Sequence, residues 1–183
     1  MDKSIIVEQF KLATASVIQK FDSINTEMIK KFEFSSDELS NEVTRKLVHN
    51  YFPTKSKMYA KNYLYIVELV SRKDSVPISE MRMKFRLIRK KLGINFSKDN
   101  EEHDDSYVLY VGTSADIKSR FRTHLGVGAG RTTWALYLSE WLTNYNVVVT
   151  LVPLSDFSQT QVQLLEDVVW DIYKPLLGQR GSK

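Results

Sequence analysis

Arg120 and His124 are spaced for phosphate chemistry. They lie four residues apart in a segment whose apolar pattern predicts a short helix, so both side chains share one helix face. Arginine offers planar donors that match phosphate oxygens, and histidine exchanges a proton near neutral pH. Lys118 and Arg122 lie close by on the exposed side of the same predicted helix. The pattern favours recognition of a phosphate group, and a solvated cationic helix face is the alternative.

Glu166 is the candidate ligand for a divalent cation. It lies in the middle of a predicted helix over 159–173, which ends before Pro175. The predicted apolar side of this helix comprises Leu164, Leu165, Val168, Val169 and Ile172. A single carboxylate among basic residues can hold Mg²⁺ together with waters and substrate phosphate oxygens. An ordinary surface carboxylate is the alternative.

Composition and spacing exclude several other chemistries. The 183 residues contain no cysteine, which rules out disulfides and thiolate metal sites. The 3 histidines form no pair at metal-ligand spacing, and no serine lies in a nucleophile-elbow pattern. The glycine-rich segment 126–133 lacks the lysine of a phosphate-binding loop. Zinc hydrolases and serine hydrolases are therefore excluded.

The overall charge points weakly to a polyanionic partner. The net charge is +4 and the sequence pI is about 9.1. No apolar run approaches the ~18 residues of a membrane helix, and the first residues lack a signal-peptide pattern. We therefore expect a cytoplasmic protein without a membrane partner.

The elements that would position these residues predict an α+β fold. Aromatic and β-branched segments predict strands over 58–70, 106–112 and 146–154. Apolar spacing predicts helices over 115–125, 133–142 and 159–173, with Ser114 as the cap of the first of these. This order fits a small three-stranded antiparallel sheet flanked by helices.

A basic helix is predicted between the first two strands, over 79–92. Its apolar face comprises Met81, Phe85, Ile88 and Leu92, and Gly93 is placed to end it. Its cations are Arg82, Lys84, Arg86, Arg89, Lys90 and Lys91. An exposed acidic loop is predicted over 99–105.

Residues 1–57 are interpreted as a helical N-terminal extension, and 58–183 as the core. Apolar spacings of three and four from Ile6 to Phe32 predict one long helix or two consecutive helices. Ser35 and Glu38 fit a capping box for a further helix that ends at Pro53. The extension either covers the core or forms a homodimer contact, and the sequence leaves both open.

The core resembles the GIY-YIG nuclease family over roughly residues 58–180. Tyr63-Leu64-Tyr65 is similar to the first signature strand, and Tyr110-Val111-Gly112 is similar to the second. As in the family, the second strand is followed by a helix with an arginine ten residues on and then a histidine, here Arg120 and His124. Leu165-Glu166 and the tail Lys174-Pro175-Leu176-Leu177-Gly178 resemble the family's metal-binding helix and its end.

The chain departs from the family pattern at three places. A stretch of 44 residues separates Tyr65 from Tyr110, which the inserted basic helix accounts for. Tyr63 stands in place of the first signature glycine, and Gly178 in place of an asparagine common in the family.

The resemblance implies a metal-dependent endonuclease that hydrolyses phosphodiester bonds of double-stranded DNA, site-specific and of a restriction or mobile-element type. Glu166 would hold Mg²⁺, with Mn²⁺ as an alternative, and Arg120 would offset charge on the phosphoryl oxygens. Tyr65 would take or relay the proton of the attacking water, and Tyr110 would orient that water or the phosphate. His124 would assist or replace Tyr65 as the base.

The basic residues supply the expected DNA contacts, because cations displace counterions from the phosphate backbone. The candidates are Lys84, Arg86, Arg89, Lys90, Lys118, Arg122 and Arg131. A catalytically inactive DNA-binding protein on the same fold is the alternative function.

Overall fold

One antiparallel sheet organises the chain. The structure is a computed structural model that describes residues 3–22, 24–52, 60–101, 103, 106–128 and 132–181. Within these ranges the elements are α1 Lys3–Asp22, β1 Lys30–Ser35, α2 Asn41–Tyr51, β2 Asn62–Ser71, α3 Ile78–Leu92, β3 Val108–Ser114, α4 Ile117–Leu125, β4 Tyr145–Leu154 and α5 Gln159–Tyr173. The strand order is β1-β4-β2-β3. The predicted α+β class is confirmed.

The sheet has four strands rather than the three predicted, and β1 is the additional strand. This strand pairs antiparallel with β4 along its whole length. Phe32 and Phe34 are buried and alternate with exposed Lys31 and Glu33, which is the two-residue period of a strand with one buried face. The helical spacing assigned up to Phe32 therefore ends earlier, with α1 at Asp22. The N-terminal extension is not wholly helical.

The two faces of the sheet carry separate core clusters. Along β2, Tyr63, Tyr65 and Val67 face the larger cluster, which also contains buried residues of α2, α3 and α4. Leu64 and Ile66 face the smaller cluster, which α5 covers. Alternation along the strand thus sends Tyr65 to the face that α4 covers.

Three predicted helix starts or spans differ from the structure. Residues 133–142 form only a short 3-10 turn at Leu138–Glu140, because Tyr137 before it has a positive φ of 48° and breaks the helical path. Ser35 caps a 3-10 turn, and α2 begins later, after Ser40. Asp116 rather than Ser114 caps α4. Helix α5 has the predicted bounds, with a capping box from Ser158.

The acidic loop predicted over 99–105 is not exposed at its first residue, Asp99, because hydrogen bonds hold this residue against α3. The Asp99 side chain is only 8% exposed, and it accepts hydrogen bonds from Arg82 at 2.7 Å and from Arg86. Beyond it, the tail donates backbone hydrogen bonds from Leu176 and Leu177 to the outer edge of β3. No described helix combines the length and the apolar character needed to cross a membrane.

Candidate active site

Two tyrosines lie side by side at the centre of the candidate site. Tyr65 is opposite Gly112 in the pairing of β2 with β3, and Tyr110 is two residues before that glycine on the same face. The two phenol rings have centroids 5.8 Å apart. A Cβ atom at residue 112 would lie 2.8 Å from Tyr65 Oη and 2.6 Å from Tyr110 Cε1. Only glycine at this position leaves room for the two phenols.

Arg120 links the two phenols from α4. The helix buries Ile117 and Phe121 in the core, which holds Arg120 against the tyrosines. Its Nε donates to Tyr65 Oη at 3.3 Å, and its Nη2 donates to Tyr110 Oη at 3.2 Å. Arg120 is half-buried, whereas Tyr65 is fully buried. The guanidinium is therefore a group of this cluster that an incoming anion can reach.

His124 lies one turn after Arg120 and is held at both ring nitrogens. The backbone N–H of Leu136 donates to Nδ1 at 3.1 Å, so Nδ1 is an acceptor. The neutral ring then carries its proton on Nε2, which donates to Tyr65 Oη over 2.8 Å. Burial, and after it the charge of Arg120, hold the pKa of His124 well below its ordinary value. The buried imidazole is neutral at pH 7.

The Tyr65 oxygen receives two N–H donors, from His124 and Arg120. Both donors favour negative charge on that oxygen. Burial is the larger influence and raises the pKa of Tyr65 well above its ordinary value, while Arg120 acts in the opposite direction. The phenol of the protein alone is therefore protonated at neutral pH, and further positive charge nearby is needed to ionise it.

Glu166 reaches the same edge of the sheet from α5. Its carboxylate accepts a hydrogen bond from the hydroxyl of Thr113, near the end of the edge strand β3. Burial raises the pKa of Glu166, whereas the Thr113 hydrogen bond and the charge of Arg120 lower it. Thr113 directly follows Gly112, which is opposite Tyr65, so the carboxylate lies at the same part of β3 as the tyrosine and arginine cluster.

The side chains at this point fit Mg²⁺ or Mn²⁺. Glu166 and Thr113 present oxygen atoms, and Mg²⁺ is held by one or two carboxylates completed by waters and substrate phosphates. Across the described part of the chain, no three His, Cys, Asp or Glu side chains gather into a closed cage. A divalent cation at Glu166 would thus depend on water and substrate for most of its ligands.

The C-terminal tail packs against Tyr110 through Gly178. This residue has φ +115°, and its N–H donates to the carbonyl of Lys98 at 2.8 Å. A Cβ atom there would lie 3.0 Å from Tyr110 Cε2. Glycine at this position therefore allows the tail to lie on the tyrosine ring.

Part of the predicted DNA-binding surface lines one groove. The basic groove, of about 930 Å³, lies between α3 and the tail, and its cations are Arg86, Arg89, Lys90, Lys98 and Arg180. Arg86 also pairs with Asp99 and with Glu101 at 3.5 Å, both of which line the groove. Lys84 is directed elsewhere, because its Nζ donates to Thr143 Oγ1 at 2.9 Å.

The remaining predicted contacts are not gathered at the site. Lys118 and Arg122 are each two residues from Arg120 on α4, which at ~100° per residue places them about 160° around the helix from it. Arg131 lies outside the described residues.

Three residues of this region were not predicted from the sequence. Thr113 directly follows Gly112 in the second signature strand, and this adjacency is the feature of the sequence that could have identified it as a site residue. Lys98 and Arg180 come from a loop and from the tail, where no periodicity relates them to α3.

Comparison of the chain with models of protein families, with curated proteins and with solved structures finds no match.

Proposed function

We propose that this protein is a metal-dependent endonuclease of the GIY-YIG type, which hydrolyses phosphodiester bonds of double-stranded DNA. The observation that carries the proposal is the convergence of Tyr65, Tyr110, Arg120 and His124 in one hydrogen-bonded cluster beside Glu166. These are the five residues that the resemblance assigns to the reaction, and they come from four separate elements. A site-specific restriction or mobile-element role is part of the proposal.

Arg120 and Tyr110 act on the phosphate in this mechanism. The half-buried guanidinium offsets the charge that grows on the phosphoryl oxygens as water attacks. The Tyr110 hydroxyl, held by Arg120 Nη2, orients the phosphate or the attacking water. A divalent cation bound at Glu166 would act as a Lewis acid on the phosphate and stabilise the leaving oxygen.

Tyr65 first loses its own proton to solvent as positive charge gathers at the site, and it then takes the proton of the attacking water. His124 positions the Tyr65 oxygen. With Nδ1 already accepting from Leu136, the neutral His124 has no free lone pair with which to serve as a base. Its Nε2–H instead orients Tyr65 and, together with Arg120, stabilises the phenolate that forms when positive charge accumulates at the site. We therefore assign His124 a positioning role.

The test is cleavage of a diverse double-stranded DNA pool with Mg²⁺ or Mn²⁺. The wild type gives discrete fragments, Glu166→Gln gives none, and Arg120→Ala cuts about 10² to 10³ times more slowly. Asp167→Asn and Arg45→Ala are matched controls that remove a neighbouring carboxylate and a remote exposed arginine, and both still cut. If the wild type binds DNA but does not cut it with either Mg²⁺ or Mn²⁺, the inactive DNA-binding alternative is established instead.

A homodimer through the N-terminal helices would allow two single-site subunits to cut both strands. Leu12 and Ile18 of α1 are apolar side chains that are 64% and 55% exposed, and a dimer contact would cover them. Sedimentation of the wild type is expected to show a dimer. The double variant that combines Leu12→Lys with Ile18→Lys is expected to be a monomer that cuts only one DNA strand. A wild-type monomer that cuts both strands would contradict this arrangement.

A further inference from the structure

A second cavity opens beside Tyr110. Its volume is about 270 Å³, and its walls include Arg89, Ser97, Lys98, Trp134 and Gly178 as well as Tyr110. Besides Tyr110 on β3, three segments build it: the end of α3 with the loop after it, the residues before the 3-10 turn, and the C-terminal tail. Of these wall residues, only Tyr110 is assigned a step in the proposed hydrolysis, and Arg89 and Lys98 also line the basic groove.

The walls are held in place by backbone hydrogen bonds. Ser97 N–H donates to the Ala135 carbonyl at 2.8 Å, and Ala135 N–H donates to the Asn95 carbonyl at 3.1 Å. The Asn95 side chain donates to the Thr132 carbonyl at 2.7 Å. These bonds join the loop after α3 to the segment that carries Trp134. The cavity is therefore formed before any ligand enters it.

The chemistry of the walls combines an exposed aromatic face, cations and a buried hydroxyl without a partner. Trp134 is 56% exposed, in contrast to Trp141, which is 1% exposed. Ser97 is 3% exposed, and within the described ranges its Oγ has no hydrogen-bond partner. A buried polar atom normally has such a partner, so the Ser97 hydroxyl has unused hydrogen-bonding capacity at a residue that lines the cavity. Arg89 and Lys98 supply positive charge at the same cavity.

The volume limits the ligand to a single small ring system. Sites that enclose a drug-sized molecule measure roughly 300–1,000 Å³. A cavity of about 270 Å³ is suited to a smaller group, such as one nucleobase, and is too small for a base pair.

We propose that this cavity receives one unpaired nucleobase of the DNA strand that the neighbouring site cuts. The base stacks on Trp134, the Ser97 hydroxyl hydrogen-bonds its edge, and Arg89 and Lys98 bind the flanking phosphates. This inference rests on the proposed function for the identity of the substrate. It adds that the substrate has a base outside the stack next to the scissile phosphate, either already unpaired or extruded on binding.

The test compares two short single-stranded oligonucleotides of equal length, without divalent metal so that no cleavage occurs. One has mixed bases, and the other is abasic and retains only sugars and phosphates. The wild type is expected to bind the mixed oligonucleotide about tenfold more tightly. Trp134→Ala removes most of that preference and leaves affinity for the abasic strand unchanged. Trp134→Phe retains part of it, because phenylalanine still offers a ring.

Further variants separate this cavity from general attraction to phosphate. Ser97→Ala weakens binding of the mixed oligonucleotide a few-fold, because it removes one hydrogen bond. Tyr107→Ala removes an aromatic side chain that is 53% exposed outside the cavity, and it leaves both affinities unchanged. Equal wild-type affinity for the two oligonucleotides, or an equal loss for both in Trp134→Ala, would overturn the inference.

The two proposals fail separately. If the protein binds bases in a way that depends on Trp134 but cuts no DNA, the nucleobase proposal is supported and the endonuclease proposal is wrong. Cleavage by a wild type that shows no base preference keeps the endonuclease and rejects the cavity.

Discussion

His124 shows how a single buried residue can have its protonation state set by its surroundings. Burial opposes the imidazolium, and the cation Arg120 adds to that opposition. The N–H of Leu136 then fixes which ring nitrogen carries the proton. The result is a neutral ring that donates to Tyr65, so the tyrosine oxygen is held between two donors.

This burial predicts a pH dependence of stability. The pKa of His124 is lower in the folded protein than in the unfolded chain, where it is ~6.5. Below that pH only the unfolded chain takes up the proton, so the free energy of unfolding falls with falling pH, by up to about 1.4 kcal/mol per pH unit, until the folded pKa is reached. Urea unfolding on either side of pH ~6.5 measures this.

Two variants isolate the contribution of His124. His124→Gln cannot titrate, so its stability is expected to fall less steeply in acid than that of the wild type. His49→Gln replaces an exposed histidine and is expected to retain the wild-type slope. Identical slopes for the wild type and His124→Gln would show that His124 is charged in the fold.

Gly112 predicts a second effect at the scale of one residue. In Gly112→Ala the new methyl group meets Tyr65 Oη and Tyr110 Cε1, so both rings have to move. We expect the free energy of unfolding to fall by about 1–3 kcal/mol and cleavage to be lost. Gly93→Ala is the control: residue 93 has φ +61° and no atom within 4 Å of an added Cβ, so it costs about 1 kcal/mol and leaves cleavage intact. Full activity in Gly112→Ala would contradict this account.

At the scale of the element, α3 is an amphipathic helix whose charged side is partly internal. Met81 and Phe85 enter the core, and Arg82, 5% exposed, is buried beside them. Its guanidinium binds Asp99 and the carbonyl of Asn100 at 2.8 Å. The Asn100 amide in turn donates to the carbonyl of Pro175 at 2.8 Å. The helix is thereby connected to the tail that supports Tyr110.

Asp99→Asn is predicted to be strongly destabilising because it leaves the buried Arg82 without its counter-charge. Loss of one partner of a buried ion pair costs about 3–5 kcal/mol. Glu42→Gln breaks an exposed pair with Lys46 on α2 and is expected to change stability by less than about 0.5 kcal/mol. Denaturant unfolding of both variants tests the contrast, and a similar small effect in the two would show that Arg82 is solvated.

The helices and strands differ in how well the sequence predicted them. Helix α5 has the predicted bounds because its cap and its periodicity are both local. Strand β1 was missed because Phe32 continues a helical spacing in the sequence, while its partner in β4 lies more than a hundred residues away. The predicted helix over 133–142 is absent because positive φ at Tyr137 and hydrogen bonds to the loop after α3 decide its path.

At the scale of the whole molecule, the basic groove concentrates positive charge that the net charge of +4 does not reveal. If the groove binds DNA, log affinity falls with log salt, and each lost phosphate contact lowers the slope by about 1. Lys90→Ala is expected to reduce the slope by that amount. Lys84→Ala, whose lysine bonds Thr143 instead, is expected to leave it unchanged. A lower slope in Lys84→Ala and an unchanged slope in Lys90→Ala would place the DNA on the other side of α3.

The sequence alone determined the residue types and the local spacing of this site. It placed Arg120 and His124 on one helix face, put Glu166 in the middle of a helix and predicted most of the strands and helices of the core, because these features depend on neighbours within a few residues. Tyr65 and Tyr110 were named through the resemblance to the GIY-YIG family. Only the tertiary structure decided the protonation of His124, the burial of Tyr65, the pairing of Arg82 with Asp99 and the assembly of the cavity at Trp134. Those depend on contacts between residues far apart in the chain, which local patterns do not encode.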